Sequence, residues 1–175
     1  MKIENIVASG YLGTEIDLDY ISSNDDNIVY GQNKYPAAYV KFNGYSVTVY
    51  HSGKYIIPGT KSELELSDVY SELLKILGKW IDTSRAKPPI VYNIVASSII
   101  GHELDLVLLY AQLIGEGRDV VYEPESFPGL ILKTNACTYN VFSSGKFIIL
   151  GCSDCTQLPG LEHDFVEMIS ELKTN

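Results

Sequence analysis

The chain repeats itself. Shifted by 88 residues, Asn5-Ile6-Val7-Ala8-Ser9 falls on Asn93-Ile94-Val95-Ala96-Ser97, Gly13 on Gly101, Glu15 on Glu103 and Asp17-Leu18 on Asp105-Leu106. A second block aligns at a shift of 92. It places Val29-Tyr30 on Val121-Tyr122, Pro36 on Pro128, Lys41 on Lys133, Ser52-Gly53-Lys54 on Ser144-Gly145-Lys146, Ile56-Ile57 on Ile148-Ile149 and Gly59 on Gly151. The difference between the shifts puts a four-residue insertion between the two blocks of the second repeat. A solenoid needs more copies than two, so the duplication implies a pseudo-twofold molecule whose halves complete one another.

Each half carries the same order of elements. A β-branched run, Ile3 to Ala8 in the first copy, opens it and Gly13 closes that run. A helical segment follows, strong over Leu104 to Ile114 but weak in the first copy, where Ser22-Ser23-Asn24-Asp25-Asp26 offers caps and turns. Ala38 to Phe42, Ser46 to Tyr50 and Tyr55 to Ile57 then alternate with a period of two around turns at Asn43-Gly44 and Ser52-Gly53, which predicts antiparallel hairpins. Ser62-Glu63-Leu64-Glu65 has capping-box spacing and opens a helix with Leu66, Val69, Leu73, Leu74 and Leu77 on one face. The second half ends alike, with Pro159-Gly160 ahead of Leu161, Phe165, Met168, Ile169 and Leu172. The divisions are a first repeat over 1–84, a linker over 85–89 within the irregular stretch Lys79 to Pro89, and a second repeat over 90–175.

Composition narrows the function. With 46% hydrophobic and 20% charged residues the chain is globular rather than disordered, and no apolar run reaches the roughly 18 to 20 residues of a membrane span. The N-terminus lacks a signal peptide's layout and three cysteines cannot build a disulfide framework, so a reducing, cytoplasmic setting is expected. The net charge of −9 argues against indiscriminate nucleic-acid binding. It is unevenly spread: residues 1–88 carry 9 basic and 11 acidic residues, residues 89–175 carry 4 and 11. The acidity belongs mostly to the second repeat.

Tyr122-Glu123-Pro124-Glu125-Ser126-Phe127-Pro128-Gly129-Leu130, together with Asn93-Ile94-Val95, Phe142-Ser143-Ser144-Gly145-Lys146 and their first-repeat counterparts Asn5-Ile6-Val7, Ser52-Gly53-Lys54 and Gly59-Thr60-Lys61-Ser62, resembles the core of the TATA-binding protein family over nearly the whole chain. The resemblance implies an α+β fold: a pseudo-twofold saddle of two repeats, in which a curved ten-stranded antiparallel sheet carries four helices on its convex face. It implies a transcription initiation factor that binds TATA-box-like promoter DNA through the minor groove, bends it by inserting aromatic side chains between base steps, and recruits transcription factor B. The compact acidic chain, with no N-terminal extension, looks archaeal, hence cytoplasmic and nucleoid-associated; a eukaryotic member would be nuclear.

Residue by residue, the minor groove offers mostly acceptors, and Asn5 and Asn93 supply donors, with Val7 and Val95 two residues on and so on the same strand face. By resemblance the wedges are Phe127 and Phe142 in the second repeat and Tyr35 and Tyr50 in the first. A tyrosine hydroxyl pushed between bases needs a partner, so the second repeat is expected to kink DNA more readily. Ile56 and Ile148 suit the groove, whereas Pro58, Leu150, Thr48 and Asn140 depart from the family pattern. Lys34, Lys41, Lys54, Lys61, Lys133 and Lys146 fall where the family contacts phosphates, as point charges rather than bidentate forks. Glu123 and Glu125 occupy the positions through which the family binds transcription factor B.

Cys152-Ser153-Asp154-Cys155, with Cys137 and His163, is a single knuckle without a second half-site at metal-ligand spacing, so buried thiols are expected, with no metal and no cofactor. No nucleophile and base motif surrounds His51 or His102, so neither catalysis nor a small-molecule substrate is expected. The alternative function is a divergent paralogue that keeps the saddle as a protein-interaction module with weakened DNA binding, a reading fed by Tyr35, Tyr50, Pro58, Asn140 and the net charge.

Overall fold

The structure, a computed structural model, describes residues 1–31 and 36–172. It divides into two compact units, Asn5–Tyr92 and Met1–Glu4 with Asn93–Asn175. The first carries β1(Lys2–Tyr11) from Asn5 onward, α1(Leu18–Asn24), β2(Ile28–Tyr30), β3(Ala37–Phe42), β4(Tyr45–Tyr50), β5(Lys54–Thr60) and α2(Glu63–Leu77). The second repeats the order with β6(Ile90–Ile99), α3(Leu106–Gly115), β7(Asp119–Val121), β8(Leu130–Lys133), β9(Thr138–Val141), β10(Lys146–Cys152) and, after a 3₁₀ turn, α4(Leu158–Leu172). The strands run β2-β3-β4-β5-β1 in one unit and β6-β10-β9-β8-β7 in the other, ten strands of one sheet with antiparallel ladders. The expected α+β class with ten strands and four helices is what the chain folds into.

Local chemistry explains the elements. Asn43 and Gly44 both take positive φ, 47° and 84°, between the paired ends Phe42 and Tyr45, a type I′ turn whose twist suits the hairpin. The first-repeat helix, weak by propensity, forms as the seven-residue α1 because Asp17 caps it: its carboxylate accepts the Tyr20 N–H at 2.9 Å. Asp105, its counterpart in the duplication, accepts from the N–H groups of Val107 and Leu108 at the head of α3, each at 3.0 Å. At α2 the Ser62 hydroxyl accepts the Glu65 N–H at 3.1 Å. The Glu65 carboxylate turns back to the Lys61 N–H at 2.7 Å, one residue earlier than in the reciprocal box, and also takes a short hydrogen bond from the Tyr45 hydroxyl.

Alternate strand positions in each unit face the helices and are buried there. In the first unit Ile6, Ala8, Val40, Val47, Val49, Tyr55 and Ile57 are fully buried, as are Leu66, Val69, Leu73 and Leu77 of α2 and Leu18 and Ile21 of α1 to within a few per cent. In the second unit the core centres on three rings: Phe165 of α4 stacks on Tyr139 and lies against Phe147, both at a centroid distance of 4.5 Å. Each buried phenol reaches a carbonyl, Tyr139 donating to Leu161 at 3.0 Å and Tyr55 to Lys87 at 2.7 Å. The stretch expected as linker is tied to the first unit: the Lys87 N–H donates to Tyr11 at 2.8 Å, and the Trp80 indole donates to Asp25 at 3.3 Å while Tyr20 meets its ring edge-on.

Two outcomes follow from this packing. Phe165→Ala removes the ring shared by both aromatic contacts and is expected to cost about 3–5 kcal/mol, measured by denaturant unfolding. The hydrogen bond from Tyr45, then that from the Lys61 N–H, holds the Glu65 carboxyl below its ordinary value. The folded state therefore gains stability from this group above the ordinary carboxylate range and loses it as pH falls through the lowered value. Between about pH 6 and pH 3 the unfolding midpoint of wild type is expected to drop more than that of Glu65→Gln.

Candidate nucleic-acid interface

The strand positions that do not face helices form the candidate surface, and the ladder registers order them into rows. In the first unit one row runs Val29, Tyr39, Thr48, Ile56 and Ser9. In the second the equivalent row runs Val121, Ile131, Asn140, Ile148 and Ser97. A neighbouring row of the second unit joins Lys133, Thr138, Leu150 and Val95, and a further one brings Lys146 opposite Ile99, with the Phe142 N–H donating to the Lys146 carbonyl at 2.9 Å. Large side chains stay uncovered here: Tyr39 is 39%, Val29 45% and Val121 38% exposed. Ile56 and Ile148, Val7 and Val95, and Lys41, Lys54, Lys133 and Lys146 all fall on this side of their strands by alternation with buried neighbours. Lys61 is exposed just ahead of the α2 cap. Lys34 and Tyr35 lie outside the described residues.

The two asparagines have the same surroundings. Pairing slips between Ile6 and Ala8 of β1 and between Leu150 and Cys152 of β10, two β-bulges at equivalent places in the duplication. Gly59 and Gly151 occupy them with φ of 93° and 88°, a conformation that L side chains rarely adopt. Each glycine N–H is taken by an asparagine: Gly59 donates to Oδ1 of Asn5 at 2.8 Å and Gly151 to Oδ1 of Asn93 at 3.0 Å. Bonding the backbone and offering a donor are compatible in such an asparagine, because the oxygen does the first and leaves the amino group for the second. Pro58, which removes a ladder donor, stands beside Gly59 in this irregularity, where a missing N–H costs least.

Phe127 and Phe142 meet edge to face with centroids 5.8 Å apart. Both are half-buried, and they close over Gly129, where an added Cβ would lie 2.7 Å from the Phe127 ring. Ala37 is the first-repeat counterpart of Gly129. The segment before Phe127 is a tight turn in which the Ser126 and Phe127 N–H groups both donate to the Glu123 carbonyl, leaving the Glu123 and Glu125 side chains exposed. Tyr50 is half-buried at the end of β4. Lys54 and Lys146 follow glycines whose hairpins press on the preceding loop: a Cβ on Gly53 or Gly145 would lie 2.1 Å from the carbonyl oxygen of Thr14 or His102. That close approach holds the two lysines at matching places in the two repeats.

Sequence reasoning missed Tyr39, Val29, Val121 and Ile131. Their signal was available, since Tyr39 stands two residues before Lys41 and Ile131 two before Lys133, but only the register puts them in line with Ile56 and Ile148. It also missed Glu4. Hydrogen bonds from Ser97, at 2.6 Å, and from Lys2 hold that carboxyl below its ordinary value, and Lys146 acts on it in the same direction.

Cys137 and Cys152 are buried, with the Cys152 thiol donating to the Asp154 carbonyl at 3.1 Å; burial pushes the Cys137 thiol up, away from thiolate chemistry. Among the described residues no three His, Cys, Asp or Glu side chains are grouped to hold a metal ion, and no helix is long and apolar enough to cross a membrane.

Comparison with known proteins gives one answer. The family model described as transcription factor TFIID, or TATA-binding protein, matches residues 1–80 and 88–172. The chain is 34% identical over 181 residues to TATA-box-binding protein C of Halobacterium salinarum, covering 98% of each chain. It is 35% identical over 156 residues to the TATA-box-binding protein of Aeropyrum pernix, covering 86% of this chain and 75% of that one. The solved structure of the Methanococcus jannaschii TBP superposes with a TM-score of 0.83 at 27% identity, covering 97% of this chain and 98% of the other. The duplicated strands, the paired asparagines and these matches agree: the chain belongs to the TATA-binding protein family, whose members are DNA-binding transcription factors rather than enzymes.

Proposed function

We propose that the chain acts in transcription initiation by laying the helix-free face of its sheet in the minor groove of TATA-box-like promoter DNA, bending the duplex and recruiting transcription factor B from the cytoplasm in which both would reside. The observation that carries the reading is the matched pair Asn5 and Asn93, each with its oxygen engaged by a backbone N–H at 2.8 and 3.0 Å. Their amino groups suit the acceptors that A·T pairs expose in that groove. Around them Val7, Val95, Ile56 and Ile148 supply apolar surface against sugars and base edges. Phe127 and Phe142, with Tyr35 and Tyr50 in the first repeat, are the wedges that unstack base steps. Lys34, Lys41, Lys54, Lys61, Lys133 and Lys146 take the phosphates. The exposed carboxylates Glu123 and Glu125 offer a basic partner a complementary turn.

A salt titration on a short A·T-rich duplex against a random duplex tests the DNA reading. Wild type is expected to prefer the A·T-rich site, Phe127→Ala to bend it less by energy transfer between end-labelled dyes, and Lys146→Ala to make the log–log salt dependence shallower by about one unit. Equal binding to both duplexes at low salt sinks promoter recognition and favours the paralogue reading, in which the face serves protein contacts. Capture of transcription factor B is expected to weaken in Glu123→Arg and Glu125→Arg; undiminished capture removes the partner assignment.

A further inference from the structure

We propose that the outward side of α3 is a docking surface for a basic amphipathic helix of a partner protein, seated on Val107, Leu108, Ala111 and Ile114. It stands apart from the minor-groove reading, because α3 covers the other side of its unit's strands. The ten residues of α3, Leu106–Gly115, include no charged side chain. Leu106, Leu109 and Leu113 are buried. At about 100° per residue, Ile114, Val107, Ala111 and Leu108 follow one another over about 120° of the opposite side. Val107 is 68%, Leu108 57% and Ile114 50% exposed, and Ala111 is exposed with them. A helix that is apolar all round belongs in an interior, and this one has only half of an interior.

The duplication shows that the fold does not demand such a surface. At the shift of 88, Val107, Leu108 and Ala111 fall on Asp19, Tyr20 and Ser23 of α1. The first copy therefore fills the same place with two polar groups and with Tyr20, whose ring meets Trp80 edge-on at 6.1 Å. Beside the apolar stripe a cleft of about 220 Å³ opens between α3 and α4, lined by Leu104, Leu108, Leu109, Ile169 and Leu172. Gln112 fixes its walls by donating to the Leu172 carbonyl at 2.7 Å. The cleft is smaller than the roughly 300–1,000 Å³ of a small-molecule site, so it suits a side chain inserted from a neighbouring segment.

Charge selects the occupant. Glu103 and Asp105 stand exposed at the head of α3 and Glu116 at its tail. α4 carries Glu162, Asp164, Glu167 and Glu171 with no lysine or arginine. Of the basic side chains in residues 93–172, Arg118 is paired with Glu116 at 3.2 Å, and Lys133 and Lys146 lie on the helix-free side of their strands. A nucleic acid or an anionic membrane would be repelled here. A second copy of this chain would set carboxylates against carboxylates, whichever way its α3 ran. A helix with an apolar stripe flanked by lysine or arginine meets both the stripe and its acidic ends.

The test uses the full chain and three fluorescein-labelled synthetic peptides of about 18 residues, long enough to form a helix once seated. One has leucine at i, i+3 and i+4 spacing with lysine elsewhere; the second has glutamate for every lysine; the third keeps the first one's composition without the stripe. By fluorescence anisotropy the striped lysine peptide is expected to bind at least about tenfold more tightly than either control. Val107→Ser and Leu108→Ser, both at exposed positions, are each expected to weaken it about tenfold, whereas Leu108→Met keeps it. Glu103→Lys combined with Glu116→Lys is expected to turn the preference toward the glutamate peptide. Glu123→Arg, on the turn before Phe127, is expected to leave the affinity unchanged. On adding the lysine peptide, NMR amide shifts are expected in residues 103–117 and at Ile169 and Leu172. Equal affinity for the lysine and glutamate peptides, serine variants that bind as wild type does, a loss in Glu123→Arg, or shifts centred on the helix-free side of the strands overturn the proposal. None of these readouts contains DNA, so they stand or fall separately from the minor-groove reading.

Discussion

A sheet has two faces, and each repeat of this chain has helices for only one. Burying alternate residues of β1, β3, β4 and β5 under α1 and α2, and of β6, β8, β9 and β10 under α3 and α4, leaves the other alternate set without protein cover. In a sheet that merely faced water this set would be polar. Here it holds Val7, Ile56, Tyr39, Val95, Ile131 and Ile148 beside lysines, a mixture suited to a flexible, ridged, anionic ligand rather than to solvent. The helices thus shape the molecule's surface indirectly, because the strand positions they leave open are the ones free to meet a ligand.

Much of this was legible from residues alone. The duplication exposed the pairs Asn5 with Asn93, Lys54 with Lys146 and Asp17 with Asp105, and the structure gives both members of each pair matching local surroundings. The Ser62 cap was visible because its chemistry is local. What stayed hidden was non-local. The bulges arise from how β5 and β10 slip against neighbouring strands, and nothing in the spacing of Pro58-Gly59 or Leu150-Gly151 announces which strand the slip is against. Tyr39 and Val29 reach the open face only once the registers of β2, β3 and β4 are known. Propensity also misjudged α1, since a single capping carboxylate outweighed a run of Ser, Asn and Asp.

The stretch after α2 shows the same limit. Its composition, with Lys87-Pro88-Pro89 and no periodicity, reads as a free connection, yet Lys87 is bonded on both its N–H and its carbonyl, to Tyr11 and Tyr55. Those partners lie 32 or more residues away along the chain, beyond any local pattern. Irregular backbone near a strand has to satisfy its polar groups somewhere, and here the first unit supplies the partners.

One difference between the repeats has a directional consequence. An A·T-rich element looks nearly the same to a minor-groove reader from either end, so a two-repeat protein could sit on it in two orientations and point transcription either way. Orientation must then come from inequality between the halves. Gly129 lets the Phe127 and Phe142 rings settle onto bare backbone, whereas Ala37 keeps a methyl group at the matching place. A methyl group present at that place in one repeat and absent from the other is one inequality of this kind.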